Sequence, residues 1–460
     1  MAESFVQILS NKLDKLLDSV GFQDFSGTSN EKIEQDYDSK KLDNYVQEIE
    51  QAKDYVGTKS MLVPYRYYDN DKGLYFSDND TIGFVFEIAP IVGIDPDMMK
   101  KIEGFLVEQL HVDFDVQFLL LASDRVEEIL TNYLSKKTHI SEDQSPFFLR
   151  HAEYLKNLAT DGREIYTRNF RCFVTFSKKD SNENALIEEV LLQKDKFQGL
   201  LNASSIPYVD LELEEFMKLV DEILHPEAKP KKIRHNFLDS LKSHFRSPEY
   251  IYNSDEYVGL GNLAASIFTI GNLAASKGSS ISYGMLESLI RNADSDFGAL
   301  NCRFMISLSF TNDFSDVKKQ NFLNKASSVQ KESEGFFARY NIDIKTKAAS
   351  YANLTNYLTN NGKIFSSNVQ IALIDKPSNM VSVQSSLHAL ASRAGISLFK
   401  ESHFCNFFSY MNFLPFNFTS NLKKEYSYYD LMTSRTIEEI ACILPINAEW
   451  KGTREPGALF

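Results

Sequence analysis

The sequence predicts a mixed α and β protein of two α/β lobes with ferredoxin-like character, joined by helical connectors. Three observations carry this. Strand-length runs rich in β-branched and aromatic residues recur along the chain, stretches of helical period separate them, and a similar alternation of strands and helices returns in the second half.

The first segment, 1–55, opens with SFVQILSNKLDKLLDSVG, where Phe5, Ile8, Leu9, Leu13, Leu16, Leu17 and Val20 fall at helical spacing before Gly21. Lys12 and Lys15 share the polar face with Glu3, Asp14 and Asp18. The face therefore lacks the lysine excess of a membrane-surface helix, and packing on a neighbouring domain or partner helix is expected. Residues 22–40 are polar and aperiodic, as in a flexible linker, and a second helical stretch follows.

The first lobe is expected over 56–224. Alternation on either side of Asn70, Asp71 and Gly73 predicts a hairpin that leads into a buried strand over Ile82–Ile91. Asp95-Pro96-Asp97 reads as a helix cap with proline in the first turn, not as a metal site. A strand over 114–121, helices to about residue 166, a strand over 170–176, a helix over 184–201 and a strand over 206–211 complete a split β-α-β order with an insertion.

A basic linker and helical connector is expected over 225–295. Its HPEAKPKKIRHN stretch, 225–236, concentrates Lys and Arg without interleaved aromatics, so a solvated linker fits it better than a phosphate-contacting patch. The second lobe, 296–403, begins with the strand CRFMISLSF over 302–310 and a long polar-faced helix to about residue 338. A strand over 369–375 and a helix over 381–393 follow, and an aromatic-rich segment occupies 404–460.

A chain of 460 residues, 43% hydrophobic and 24% charged, holds two or three domains and needs no covalent or metal staple to bury a core. Cys172, Cys302, Cys405 and Cys442 form no C-x-x-C pair and read as free thiols in a reducing cytoplasm. The sequence contains no signal-peptide pattern and no run of about 18 apolar residues. A formal charge of -14 opposes general attraction to nucleic acid or anionic lipid and favours protein partners.

Motifs for chemistry do not assemble. H-E-x-x-H, G-x-S-x-G and the Walker A pattern do not occur. In GLGNLAASIFTIGNLAASKGSS, Gly259, Gly261, Gly271 and Gly278 surround a doubled GNLAAS, but Lys277 precedes its glycine. Close helix packing or a connecting turn is the expected reading. His403 and Cys405 lack the further donors of a metal site and the orienting group of a nucleophilic pair. Asp294 and Asp296 read as turn or capping residues. The run FFSYMNFLPFNF over 407–418, with Tyr426, Tyr428, Tyr429, Lys423 and Lys424, could imitate a base-stacking surface, but so dense a group is expected in a core or interface. No catalytic, cofactor-binding or metal-binding residue is assigned.

These residues nevertheless carry a resemblance. VPYRYYDNDKGLYFSDNDTIGFVFEIAPIVGID is similar to the opening domain of the TraC-type ATPases of F-like conjugative type IV secretion systems. FFSYMNFLPFNF, TIEEIACILP and EWKGTREPGALF resemble that family's passage from its N-terminal region to its motor. The resemblance implies an α/β N-terminal region followed by a RecA-like P-loop motor. It also implies a cytoplasmic, oligomeric ATPase peripheral to the inner membrane that powers pilus assembly and conjugative transfer.

The family's nucleotide-binding lysine, Mg²⁺-binding hydroxyl and catalytic acid map onto no position here. Gly452, Pro456 and Gly457 read as the lead-in to a motor domain that the chain lacks after Phe460. The expectation is a non-catalytic N-terminal part that docks on inner-membrane platform subunits and forms a homo-oligomer when a motor is present, with ATP and Mg²⁺ entering only with that motor. Arg454 would be the residue available to an intersubunit nucleotide site. The alternatives are half of a split ATPase acting in trans with a separate P-loop polypeptide, and a single-stranded nucleic-acid-binding module.

Overall fold

The computed structural model describes residues 63–448 apart from 79, 94, 136–144, 162–166, 228–238, 246–250, 255, 274–282, 291–299, 313–315, 335–341, 360–361, 402–404 and 419–431. The helix and linker read over 1–55, the basic linker residues 228–236 and the terminal stretch 449–460 lie outside the described residues. The chain divides into Met1–Met61 and Leu62–Phe460, and every described residue belongs to the second unit.

Strands β1 (Tyr65–Asp69) and β2 (Leu74–Ser77) form the hairpin that Asn70, Asp71 and Gly73 signal. The Asp69 carboxylate accepts from the Asp71 and Lys72 amides, and Gly73 supplies the left-handed φ of +64° that the turn requires. Next come β3 (Thr81–Ile88), α1 (Pro96–Glu108), β4 (Asp115–Ser123), α2 (Glu127–Ser135), α3 (Ser145–Asp161), β5 (Asn169–Lys179), α4 (Glu183–Ala203) and β6 (Tyr208–Asp210). Asp95 caps α1 as its sequence implies, its carboxylate accepting from the Asp97 amide at 3.0 Å with Pro96 in the first turn.

Helix α5 (Leu213–Leu224) leads into a second run: β7 (Ile251–Asn253), β8 (Val258–Leu260), β9 (Leu263–Leu273), α6 (Glu287–Ile290), β10 (Arg303–Thr311), α7 (Asp316–Glu334), α8 (Ile342–Thr359), β11 (Ile364–Asp375), α9 (Met380–Arg393) and β12 (Ile396–Lys400). The described chain closes with α10 (Cys405–Met411), β13 (Thr433–Thr436) and α11 (Ile437–Cys442).

Helices and strands mix as predicted, and among the described residues strands from both halves join one 13-stranded sheet in the order β1-β2-β3-β5-β4-β10-β11-β9-β8-β7. β6 adds to β3, β12 to β9 and β13 to β11, and the ladders between named strands are all antiparallel. The order β6-β3-β5-β4 in the first run is repeated as β12-β9-β11-β10 in the second. At the seam β4 meets β10 with Leu119 opposite Ser307, the middle residue of each strand.

Both faces of the central strands are covered, which explains near-continuous apolar runs in place of alternation. One core packs Phe118, Leu120, Ile306, Leu308, Ile371 and Phe268 under α1, α4, α6, α9 and α11. The opposite face sets Leu119, Leu121, Met305, Ala372 and Ile267 under α5, α10 and the turns to Phe416.

Three departures from the sequence reading have physical causes. β11 begins at Ile364, five residues before the predicted strand, because Ser366, Ser367 and Asn368 are polar residues lying on the sheet. Helix α8 follows α7 although its apolar periodicity is weak, and it packs through contacts such as Phe322 with Tyr351. The first GNLAAS is a turn and strand, not a helix. Gly261 takes a φ of +72°, and Ala264, Ala265, Ile267, Phe268 and Ile270 are buried on the two sides of β9.

Candidate functional site

Charged residues collect at the joint where β4 ends, α5 ends and β10 begins. The Ser123 hydroxyl donates to Glu222, Arg125 donates to the His225 carbonyl at 2.9 Å, and Arg303 donates to both Asp124 and the Pro226 carbonyl. Glu222 lies 3.8 Å from the Arg125 guanidinium. Two arginines thus meet carbonyls at and just beyond the C-terminal end of α5, where the helix leaves its last carbonyls without intrahelical partners. Burial lowers the Arg125 pKa, opposed mainly by Glu222.

A second group lies on the same face of the first run. Arg171 donates to Glu87 at 2.9 and 2.7 Å and to Glu215 at 3.3 Å, and Lys218 donates to Glu215 at 2.7 Å. Burial alone would lower the Arg171 pKa, but its bonds to Glu87 and the surrounding carboxylates raise it. Burial likewise works against ionised Glu215, and Lys218 with Arg171 overrides it, so that carboxyl is held low.

Between these groups and α10 runs a buried network of neutral polar side chains. The Gln117 amide donates to Ser307 at 3.0 Å and to the Asn412 carbonyl at 2.7 Å, while the Asn412 amide donates to Gln370 at 3.0 Å. The segment above it is the aromatic run. Tyr410, Phe413, Phe416 and Phe418 are buried, and the Tyr410 hydroxyl donates to the Ile223 carbonyl at 2.5 Å. These four rings belong to a core, while Phe408 of the same run is 40% exposed.

The remaining sequence candidates separate. Cys405 is buried at the start of α10, while His403, Asp294, Asp296, Lys277, Gly278, Lys423, Lys424, Tyr426, Tyr428, Tyr429, Gly452, Arg454, Pro456 and Gly457 lie outside the described residues. Burial pushes the Cys302 and Cys442 thiols up to about 12, so neither forms a thiolate near neutrality. Among the described residues no group of three His, Cys, Asp or Glu is placed to hold a metal ion. Nor, among them, is any helix long and apolar enough to cross a membrane.

Sequence inspection missed both charged groups. Their signal was present: Glu87 and Arg171 sit among apolar neighbours in β3 and β5, and Arg303 opens the apolar stretch of β10. A charge at such a position has to meet a partner inside the fold.

The fold and its buried ion pairs define an α/β sheet scaffold whose two strand runs are tied together at one seam. The family model described as TraC protein matches residues 60–418, most of the chain, and the chain belongs to that family. It is also similar to Protein TraC of Escherichia coli (strain K12), with 25% identity over 177 residues, 36% of this chain and 20% of that protein. The match thus spans about a fifth of that relative's length.

Proposed function

We propose that this chain provides the N-terminal, non-catalytic docking region of a TraC-like machine for F-pilus assembly and conjugative transfer by type IV secretion. It works in the cytoplasm, peripheral to the inner membrane, bound to platform subunits and to further copies of itself. The family match carries the reading. The two strand runs are taken as ferredoxin-like lobes sharing one sheet, a view supported by the split β-α-β order found in each.

The described charged clusters fit a structural role, since Arg125, Arg171 and Arg303 are all engaged by carboxylates or carbonyls of the fold. ATP turnover by the purified chain tests the non-catalytic part. Absence of turnover is expected, and hydrolysis by the chain alone would reject it. Turnover only after a separate P-loop polypeptide is added would establish the split ATPase in its place.

A further inference from the structure

The two strand runs place their inserted helix pairs at opposite ends of the seam. Helices α2 and α3 follow the last residue of β4, helices α7 and α8 follow the last residue of β10, and β4 and β10 are antiparallel neighbours. Topology makes the pairs counterparts, but their chemistry has diverged.

The α2–α3 pair has a small core of its own, Val126, Leu130, Ala152 and Ala159, and leaves large apolar groups outside it. Phe147 is 68% exposed and Tyr154 55%, with Leu149 and Ile129 also exposed. Phe147, His151 and Tyr154 follow one helix face, and the Phe147 ring lies parallel to the His151 ring. Among the described side chains its helices carry Glu127, Glu128 and Glu153 against Arg150 and Lys156, and Glu127 is held by Lys156 at 2.6 Å. Among their described side chains helices α7 and α8 carry Lys319, Lys325 and Lys331 against Glu332 and Glu334, and none is a large exposed apolar group. Lys325 and Lys331 are exposed on α7.

We infer that the α2–α3 pair of one copy of this chain docks on the α7–α8 pair of a second copy. Aromatic rings beside carboxylates suit a lysine-bearing helix, because ammonium groups pair with the carboxylates while ammonium and methylene stems lie against the rings. The helix pairs differ in sign and leave opposite ends of the seam. The contact is therefore head-to-tail, and it repeats into a chain or closes into a ring. This rests on the self-associating part of the proposed function and supplies its surface.

Sedimentation of the full chain over a concentration series, at low and high salt, tests it. The wild type is expected to associate, and salt to weaken the association. Glu128→Lys with Glu153→Lys on one pair, or Lys325→Glu with Lys331→Glu on the other, should each raise the dissociation constant about tenfold. Combining all four reversals should return it to within about threefold of wild type. That recovery also shows that the variants are folded, and Phe147→Ser should weaken association independently of charge.

A chain that stays monomeric to about 100 µM, or a combined variant no better than its parents, overturns the inference. Binding to platform subunits, read separately by pull-down, bears on the docking proposal and leaves this one untouched.

Discussion

The helix pairs α2–α3 and α7–α8 occupy the same place in two strand runs of the same order, yet one exposes aromatic side chains and the other is rich in lysine. The sheet explains why they could diverge. Each pair is inserted between two long strands and stands outside the two main cores, so its surface is not dictated by packing against the sheet. The seam is under the opposite constraint. Leu119 and Ser307 are buried, and β4 and β10 must fit cores on both faces at once.

The largest effect should come from breaking that seam. Ile306 is fully buried on β10 opposite Leu120, and Ile306→Ala should destabilise by about 3–4 kcal/mol through lost contacts and a residual cavity. Because one core runs through both strand groups, denaturant unfolding followed by fluorescence and by circular dichroism should shift together. Separate transitions would show that the groups unfold independently and that the seam is not the common element.

Next in size is the ionic joint. Arg303→Ala strands Asp124 and removes the donor to the Pro226 carbonyl, with an expected loss of about 2–3 kcal/mol, tempered because Asp124 is partly exposed. Arg303→Met, which keeps most of the volume, together with Asp124→Leu should recover a large part of it, as urea midpoints would reveal. Failure of the pair to recover would place the role of Arg303 in its carbonyl contact.

Gly83→Ala compares the runs directly. A Cβ at Gly83 would collide with the Phe176 carbonyl and the Phe416 ring, so about 1–3 kcal/mol should be lost. Following the ladders outward from the Leu119–Ser307 pair, the corresponding position on β9 holds Ala265, which is accommodated under α5 and α10. An unchanged thermal midpoint in the Gly83 variant would show that the two sites have equal room.

The seam strands were legible in the sequence because burial on two faces writes near-continuous apolar runs such as FLLLA and FMI. The Asp95 cap was legible because its signal is local, and so was the hairpin around Gly73. The partners of Arg303 and Arg125 were not, since Asp124, Glu222 and His225 reach them only after strands far apart in sequence become neighbours. GNLAAS misled for a related reason. Its small residues suit a tight helix contact and a crowded central strand equally, and the pairing of β9 with β11 decides between them.

The smallest effects concern two carboxyls near corresponding levels of the runs, and their signs are opposite. Glu87 on β3 lies opposite Val209 of β6, and Thr269 on β9 lies opposite Phe399 of β12. In the first run Glu87 and Glu215 share Arg171, while in the second the Thr269 hydroxyl donates to Glu401. Glu215 is held below its ordinary value of 4.5, so its ionised form stabilises the fold above that pH and the contribution is lost as pH falls.

Burial raises Glu401, and its hydrogen bonds from Thr269 and Gln370 only partly oppose this. The folded state therefore prefers the protonated acid, and stability declines as pH rises through 4.5 toward the folded value. At pH 7, Glu215→Gln should lower the thermal midpoint and Glu401→Gln should raise it, each by an amount that shrinks toward pH 3.5. Equal signs at pH 7 would mean that both carboxyls experience the same balance of burial and positive charge, and that the difference between the runs ends at their helix pairs.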